Sequence, residues 1–247
     1  MTVLLGSNEL KEAYLGSSSI KEIRTGSHKV FPKGYEPSAY TILYYPLLTN
    51  TNDESWNWNN GTIRWSSSFS NAAIFRANWR IDSITNLPSS YTISLWIKTY
   101  TYNNSEKVIR AKRFAPWYSA NNIQRVGLII DASNNLKLYR WIDSSSHERR
   151  TIQTLTVNTV YNIIVTYSWG NVYIYVNWVY KTWFQSGYSN NTNAWLGIGW
   201  RYAQNDSSYS NRFNLYADMK EFIVENRYWN GTRITDYYND FSSIITF

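Results

Sequence analysis

The chain of 247 residues has no cysteine and only two histidines, His28 and His147. Disulfide staples, Cys-ligated zinc and thiol catalysis are thereby excluded, and so is a metal centre built from several imidazoles. No apolar run is long enough to cross a membrane as a helix. The opening segment, MTVLLGSNELKEAYLG, carries neither a basic leader with an apolar stretch nor a small-residue cleavage site, so no classical secretory signal is expected. Acidic residues are outnumbered, 17 against 24 basic, for a net charge of +7. That balance suits acidic partners such as anionic cell-wall polymers, acidic glycans or nucleic acid. The basic residues are scattered, however. The densest groups, Lys107–Arg113 and the loop SSSHERR with His147–Arg150, are too short for a basic arm and read as solvated surface, which argues against a nucleic-acid partner. Glycine is scarce as well: 11 residues, where average usage of about 7% would give roughly seventeen.

What the chain has in quantity is aromatic residues, with 13 Trp, 22 Tyr and 9 Phe. Rings suit a pleated, half-buried surface, so the composition points to strands. The first 32 residues hold a short repeat. Leu5-Gly6-Ser7 precedes Leu10–Ala13, Leu15-Gly16-Ser17 precedes Ile20–Ile23, and Thr25-Gly26-Ser27 precedes Val30-Phe31-Pro32. Each Gly-Ser pair signals a turn and each following run a strand. Residues 1–34 are expected to form a small β-meander that docks on protein partners or on other copies, because it is too small to bury a core of its own. Pro32–Pro37 reads as a linker. Beyond it strand signals follow at Tyr40–Tyr45, Tyr91–Thr99, Val126–Asp131, Leu136–Trp141, Tyr161–Tyr167, Val172–Asn177, Trp195–Trp200 and Asn214–Glu225. In Val172–Val176 the aliphatic residues take one face and the tyrosines the other. One short helix is expected near the end, capped by Thr232 and presenting Ile234, Tyr237, Tyr238 and Phe241. Many short strands separated by Asn, Ser and Gly turns predict an all-β, antiparallel sandwich.

Four segments in order carry a family resemblance: ILYYPLLTNTND, YTISLWIKT, VYNIIVTYSWGNVYIYVNWVYKT and EFIVENRYWNGTRITDYYN. With them, residues 39–247 resemble the laminin-G-like, concanavalin A-like jelly-roll domains of bacterial surface and phage proteins. The resemblance implies a jelly-roll sandwich with a short C-terminal helix. It does not choose a ligand, since that fold hosts lectins, glycosidases and adhesion modules. Calcium-carrying members often place an Asp at the start of the closing strand. Lys220 stands there in this chain, so no metal and no cofactor is expected.

Tryptophan occupies positions where turns belong. Trp56 and Trp58 lie in SWNWNNGT, Trp79 in an Asn-x turn, Trp169 at the hairpin tip SWGN, Trp178 after Asn177 and Trp200 after Gly199. Tight hairpins favour Asn-Gly because both central residues need positive φ. A tryptophan there costs on the order of 1 kcal/mol or more. Two readings follow: the loops are longer than they look, or these six positions are glycine in a source that reads UGA as glycine.

For chemistry, concanavalin-like glucanases carry Glu-x-Asp-x-x-Glu on a strand, and no segment here matches it. Glu221 and Glu225 share a strand face but read as ordinary surface residues, so catalysis is not expected. Sugar rings stack their C–H faces on aromatic side chains, with a few polar groups setting orientation. The exposed-looking candidates are Trp117 and Tyr118 in RFAPWYSANN, Trp141 before Asp143, and Tyr202 after Trp200. The expectation is a non-catalytic carbohydrate-binding or adhesion module on a phage virion or cell surface. The rivals are a purely structural virion protein (a fibre or capsid decoration) and an unrecognised glycoside hydrolase.

Overall fold

A computed structural model describes residues 35–55, 57–64, 68–70, 72–75, 80–83, 88–100, 107–113, 126–131, 133–141, 147–185, 195–198 and 217–242, with Ile245, Phe247 and four short strands before residue 32. Those four are β1 (Tyr14–Leu15), β2 (Ser18–Ser19), β3 (Ile23–Thr25) and β4 (His28–Phe31). They pair antiparallel, Leu15 opposite Ser18 and Thr25 opposite His28. Next come β5 (Thr41–Tyr45), β6 (Thr62–Arg64), β7 (Ser68–Phe69), β8 (Ala73–Phe75), β9 (Arg80–Ser83) and β10 (Ser90–Thr99). They are followed by β11 (Lys107–Arg113), β12 (Val126–Ile130), β13 (Asn135–Trp141) and β14 (His147–Thr154). The chain closes with β15 (Val160–Ser168), β16 (Asn171–Val176), β17 (Val179–Gln185), β18 (Trp195–Ile198), β19 (Ala217–Glu225) and the helix α1 (Gly231–Ser242).

Two antiparallel sheets make the sandwich. One runs β17-β16-β15-β10-β19-β8-β7, with β5 also paired to β19, and the other runs β14-β13-β12-β11-β18-β9-β6. Alternation builds the core. Tyr91, Ile93, Leu95 and Ile97 of β10 point inward with Ile163 and Val165 of β15 and Val172, Ile174 and Val176 of β16, to meet Leu128, Ile130, Leu136 and Leu138 of the second sheet. The structure is therefore an all-β antiparallel sandwich with one short C-terminal helix, as composition and strand spacing predict. His147–Arg150 departs from its reading as a solvated loop. It opens β14, with His147 opposite Trp141. Lys107–Arg113 is likewise a strand, held between β12 and β18.

The outer face of the first sheet is covered too. Trp96, Ile164, Ile223 and Tyr175 form a second apolar layer with Tyr35, Tyr44 and Trp229, and Ile234, Tyr237 and Phe241 of α1 close over it. These helix residues repeat at the three- and four-residue spacing that defines one helical face. Tyr35, in the segment read as a linker, is 6% exposed and packed in this layer. The cap is Asn230 rather than Thr232: Asn230 Oδ1 accepts from Arg233 N at 2.9 Å, and Asn230 O accepts from Ile234 N. Asn230→Ala should therefore cost about 1 kcal/mol, seen as a melting temperature lower by about 2–4 °C in thermal denaturation. Thr232→Ala should leave it unchanged.

Candidate binding site

Helix α1 covers the middle of the outer face and leaves the β16–β17 margin open. Tyr173 and Tyr175 point outward from β16, since Val172, Ile174 and Val176 between and beside them fill the core. Cross-strand register places Trp183 opposite Tyr173 and Tyr180 opposite Tyr175, and directly opposed residues share a face. A register shift at Ile174/Tyr175 adds one residue to β17, Lys181. This bulge lets Tyr180 and Trp183, three apart in sequence, emerge on the same side. Tyr228, from the corner between β19 and α1, meets Tyr173 edge-on with centroids 5.8 Å apart, and Tyr180 meets Tyr175 edge-on at 5.6 Å.

The result is an aromatic strip with its outer rings in solvent. Trp183 is 51%, Tyr180 47% and Tyr228 37% exposed, over a half-buried Tyr173 and a buried Tyr175. Tyr175 and Tyr228 share a hydroxyl hydrogen bond. Burial, then the neighbouring Tyr228 oxygen and that bond, push the Tyr175 phenol up to about 12, and burial likewise raises Tyr228. The Tyr175 and Tyr228 phenols are thus neutral donors and acceptors at physiological pH. A cation borders them: Arg150 Nη1, from the facing edge strand β14, lies 3.3 Å from the Trp183 carbonyl and 3.5 Å from Thr182 Oγ1. At the other end Trp178 leans on Tyr238 at 4.2 Å, and Tyr238 stacks on the buried Trp96 at 5.5 Å.

Of the residues singled out by sequence, Trp117, Tyr118 and Tyr202 lie outside the described residues. Trp141 ends β13 in the second sheet, with its side chain also outside them. The strip itself escapes a sequence reading that looks for rings in loops, because its members sit on strands. The available signal was the tyrosine face of Val172–Val176, which the pattern does show.

Glu221 and Glu225 are not surface residues. Glu225 is fully buried, and its carboxylate accepts from Tyr35 Oη (2.6 Å), Trp229 Nε1 (2.6 Å) and Arg227 Nε (2.5 Å), with Arg233 Nη2 at 3.6 Å. These partners outweigh burial and hold the Glu225 carboxyl below the usual carboxylate range. Glu221 is 8% exposed, occupies a bulge of β19 at φ 49°, and accepts from Tyr44 Oη at 2.7 Å. Both carboxylates hold the outer layer together and are shut away from substrate. Lys220, also buried, sets its ammonium 5.2 Å from the Phe247 ring centre. Among the described residues no three His, Cys, Asp or Glu side chains gather as a metal site.

No family model and no curated protein matches the chain. Solved structures do share its fold. Domain 4 of AbnA, an extracellular GH43 arabinanase from Geobacillus stearothermophilus solved in complex with arabinotriose, superposes with a TM-score of 0.61 at 18% identity, covering 79% of this chain and 97% of that domain. The binding domain of Paraclostridial Mosquitocidal Protein 1 gives 0.62 at 13% identity, over 82% of this chain and 52% of that one. The receptor binding domain of the botulinum neurotoxin C/D mosaic serotype gives 0.57 at 14%, over 81% and 51%. The chain thus spans about half the length of those toxin domains. At these identities the likeness speaks for the β-sandwich fold.

Proposed function

We propose that this domain is a non-catalytic carbohydrate-binding module whose glycan lies along the β16–β17 strip, displayed on a cell surface or virion. The carrying observation is the exposed row Trp183, Tyr180 and Tyr228 on a margin of the outer face that the helix leaves open. Exposed rings held on the edge strand β17 by its pairing to β16, and at the corner after β19, cost little entropy to immobilise and offer flat apolar faces with polar groups at their edges. That is the surface a sugar's C–H face and ring hydroxyls require. Arg150 beside Trp183 and the net charge of +7 favour glycans carrying acidic groups. The two carboxylates that a glycosidase reading would use are committed to Glu225's and Glu221's structural partners, which supports binding without hydrolysis.

The test is calorimetric titration with arabino-oligosaccharides, suggested by the ligand of the AbnA domain, followed by a panel of neutral and acidic glycans. Trp183→Ala and Tyr180→Ala should each weaken binding about tenfold, the equivalent of about 1.4 kcal/mol, while leaving the melting temperature within a degree or two. Trp117→Ala provides the contrast. Binding lost with Trp117→Ala but kept with Trp183→Ala would move the site to the RFAPWYSANN loop. A panel with no binder at all would favour the purely structural virion role.

A further inference from the structure

We infer that residues 58, 169 and 178 are glycine in the protein as its source makes it, the tryptophans arising where a UGA codon is read as tryptophan. Backbone geometry carries the inference. Trp58, Trp169 and Trp178 have φ of 56°, 46° and 58°, a region where a bulky side chain is a rare outlier. Two of them sit in two-residue hairpin turns of the type that needs positive φ at both central positions. Trp169 and Gly170 (φ 46° and 86°) join Ser168 to its partner Asn171, and Asn177 and Trp178 (48° and 58°) join Val176 to its partner Val179. Asn177-Trp178 thus stands where Asn-Gly is the favoured pair.

The remaining described tryptophans behave differently. Trp96, Trp141, Trp183, Trp195 and Trp229 all lie in strands or the outer core, and none is among the residues with positive φ. Asn134, Asn158 and Asn177 share the left-handed region, as their short polar side chains allow. Leu47 and Glu221 also share it, but both are buried. Trp58 and Trp169 have no such anchorage: 81% and 84% of their surface is exposed, so nothing they pack against offsets the backbone strain. A source that assigns UGA to glycine explains both the surplus of tryptophan in turns and the shortage of glycine. Trp56, Trp79 and Trp200, in turn-like sequence, belong to the same group and lie outside the described residues. Resting on the binding proposal, one consequence follows: glycine at 178 removes the indole now leaning on Tyr238, and the aromatic strip extends to that ring.

The codons of the gene give the direct test. UGA is expected at 58, 169 and 178, with UGG at 96, 183 and 229; UGG at any of the first three, or UGA at any of the second three, overturns the inference. Mass spectrometry of the protein made by its source checks the amino acid itself. The tryptic peptide following Arg150 and ending at Lys181 should be lighter by two tryptophan-to-glycine replacements, and the unshifted mass overturns it. A recombinant protein carrying W58G, W169G and W178G should melt about 5 °C higher than the parent, whereas W96G should melt lower. A triple variant less stable than its parent counts against glycine at these sites. None of these readouts involves a glycan, so failure of the binding proposal leaves them standing.

Discussion

Glu225→Ala should be among the most damaging single changes in the domain, destabilising it by about 2–4 kcal/mol through the lost charge-assisted hydrogen bonds and a buried donor left unsatisfied. The carboxylate is the meeting point of the outer layer. It ties Tyr35 from the entry segment, Arg227 and Trp229 from the corner after β19, and Arg233 from α1 to the last residue of a central strand. Removing it leaves the Trp229 indole N–H without an acceptor in a region closed to water, at a cost of about 1–3 kcal/mol, and leaves the Tyr35 hydroxyl with Thr41 Oγ1 (2.6 Å) as its remaining partner. Arg227 and Arg233 are only partly buried, with side chains 34% and 40% exposed, and can turn to solvent, so they add less. Chemical denaturation should show the loss directly as a lower midpoint with an unchanged slope.

The same group gives the protein a pH dependence of known sign. Its folded pKa lies below the unfolded value, so its contribution is complete above the ordinary glutamate range and is lost as pH falls through the folded pKa. Wild type and Glu225→Gln should therefore differ most in stability near neutrality. The gap should narrow below about pH 4, where the unfolded carboxyl takes up its proton, and continue to close as the folded one follows. A gap independent of pH would show that Glu225 acts by shape alone and not by charge.

How much of this was legible in sequence depends on whether a single element or a register decides. Strand identity in β10, β15, β16 and β19 follows from alternation within each segment, and the sandwich follows from their number. The buried stripe Ile234, Tyr237 and Phe241 likewise follows from helical spacing. The strip does not, because Tyr180 and Trp183 fall on opposite faces in an unbroken period of two, and only the extra residue in β17 brings them together. Glu221 and Glu225 read as surface for a related reason. An outer sheet face is normally wet, and no local pattern reveals that a helix some ten residues later, with Tyr35 from 190 residues upstream, will cover it. Charge alone does not separate loop from strand at His147–Arg150, since an edge strand such as β14 tolerates solvated side chains as readily as a loop does. The turn tryptophans are the opposite case. There the local rule is strict: positive φ is a property of one or two residues, and the turn-like sequence around Trp58, Trp169 and Trp178 marks all three.

Trp229→Ala should cost a further about 3–5 kcal/mol, the range for deleting a large aromatic from a closed core. The ring is 1% exposed, stands 5.0 Å from Tyr237 and 5.1 Å from the Arg233 guanidinium, and donates Nε1–H to Glu225. Its backbone N–H is shared between Thr92 Oγ1 at 3.0 Å and Thr166 Oγ1 at 3.2 Å, which locks the corner onto β10 and β15. Because the neighbouring Tyr228 belongs to the strip, this core substitution should also weaken glycan binding, although Trp229 is itself buried. Trp229→Phe separates the two effects: it keeps most of the packing and the backbone anchor while leaving Glu225 one donor short, and should restore binding before it restores full stability. In a double-mutant cycle, Glu225→Ala and Trp229→Ala should together cost about 1–2 kcal/mol less than their separate losses added, the coupling usual for residues in direct contact. Strict additivity would mean that the indole–carboxylate bond contributes nothing, and that the outer layer is held by packing alone.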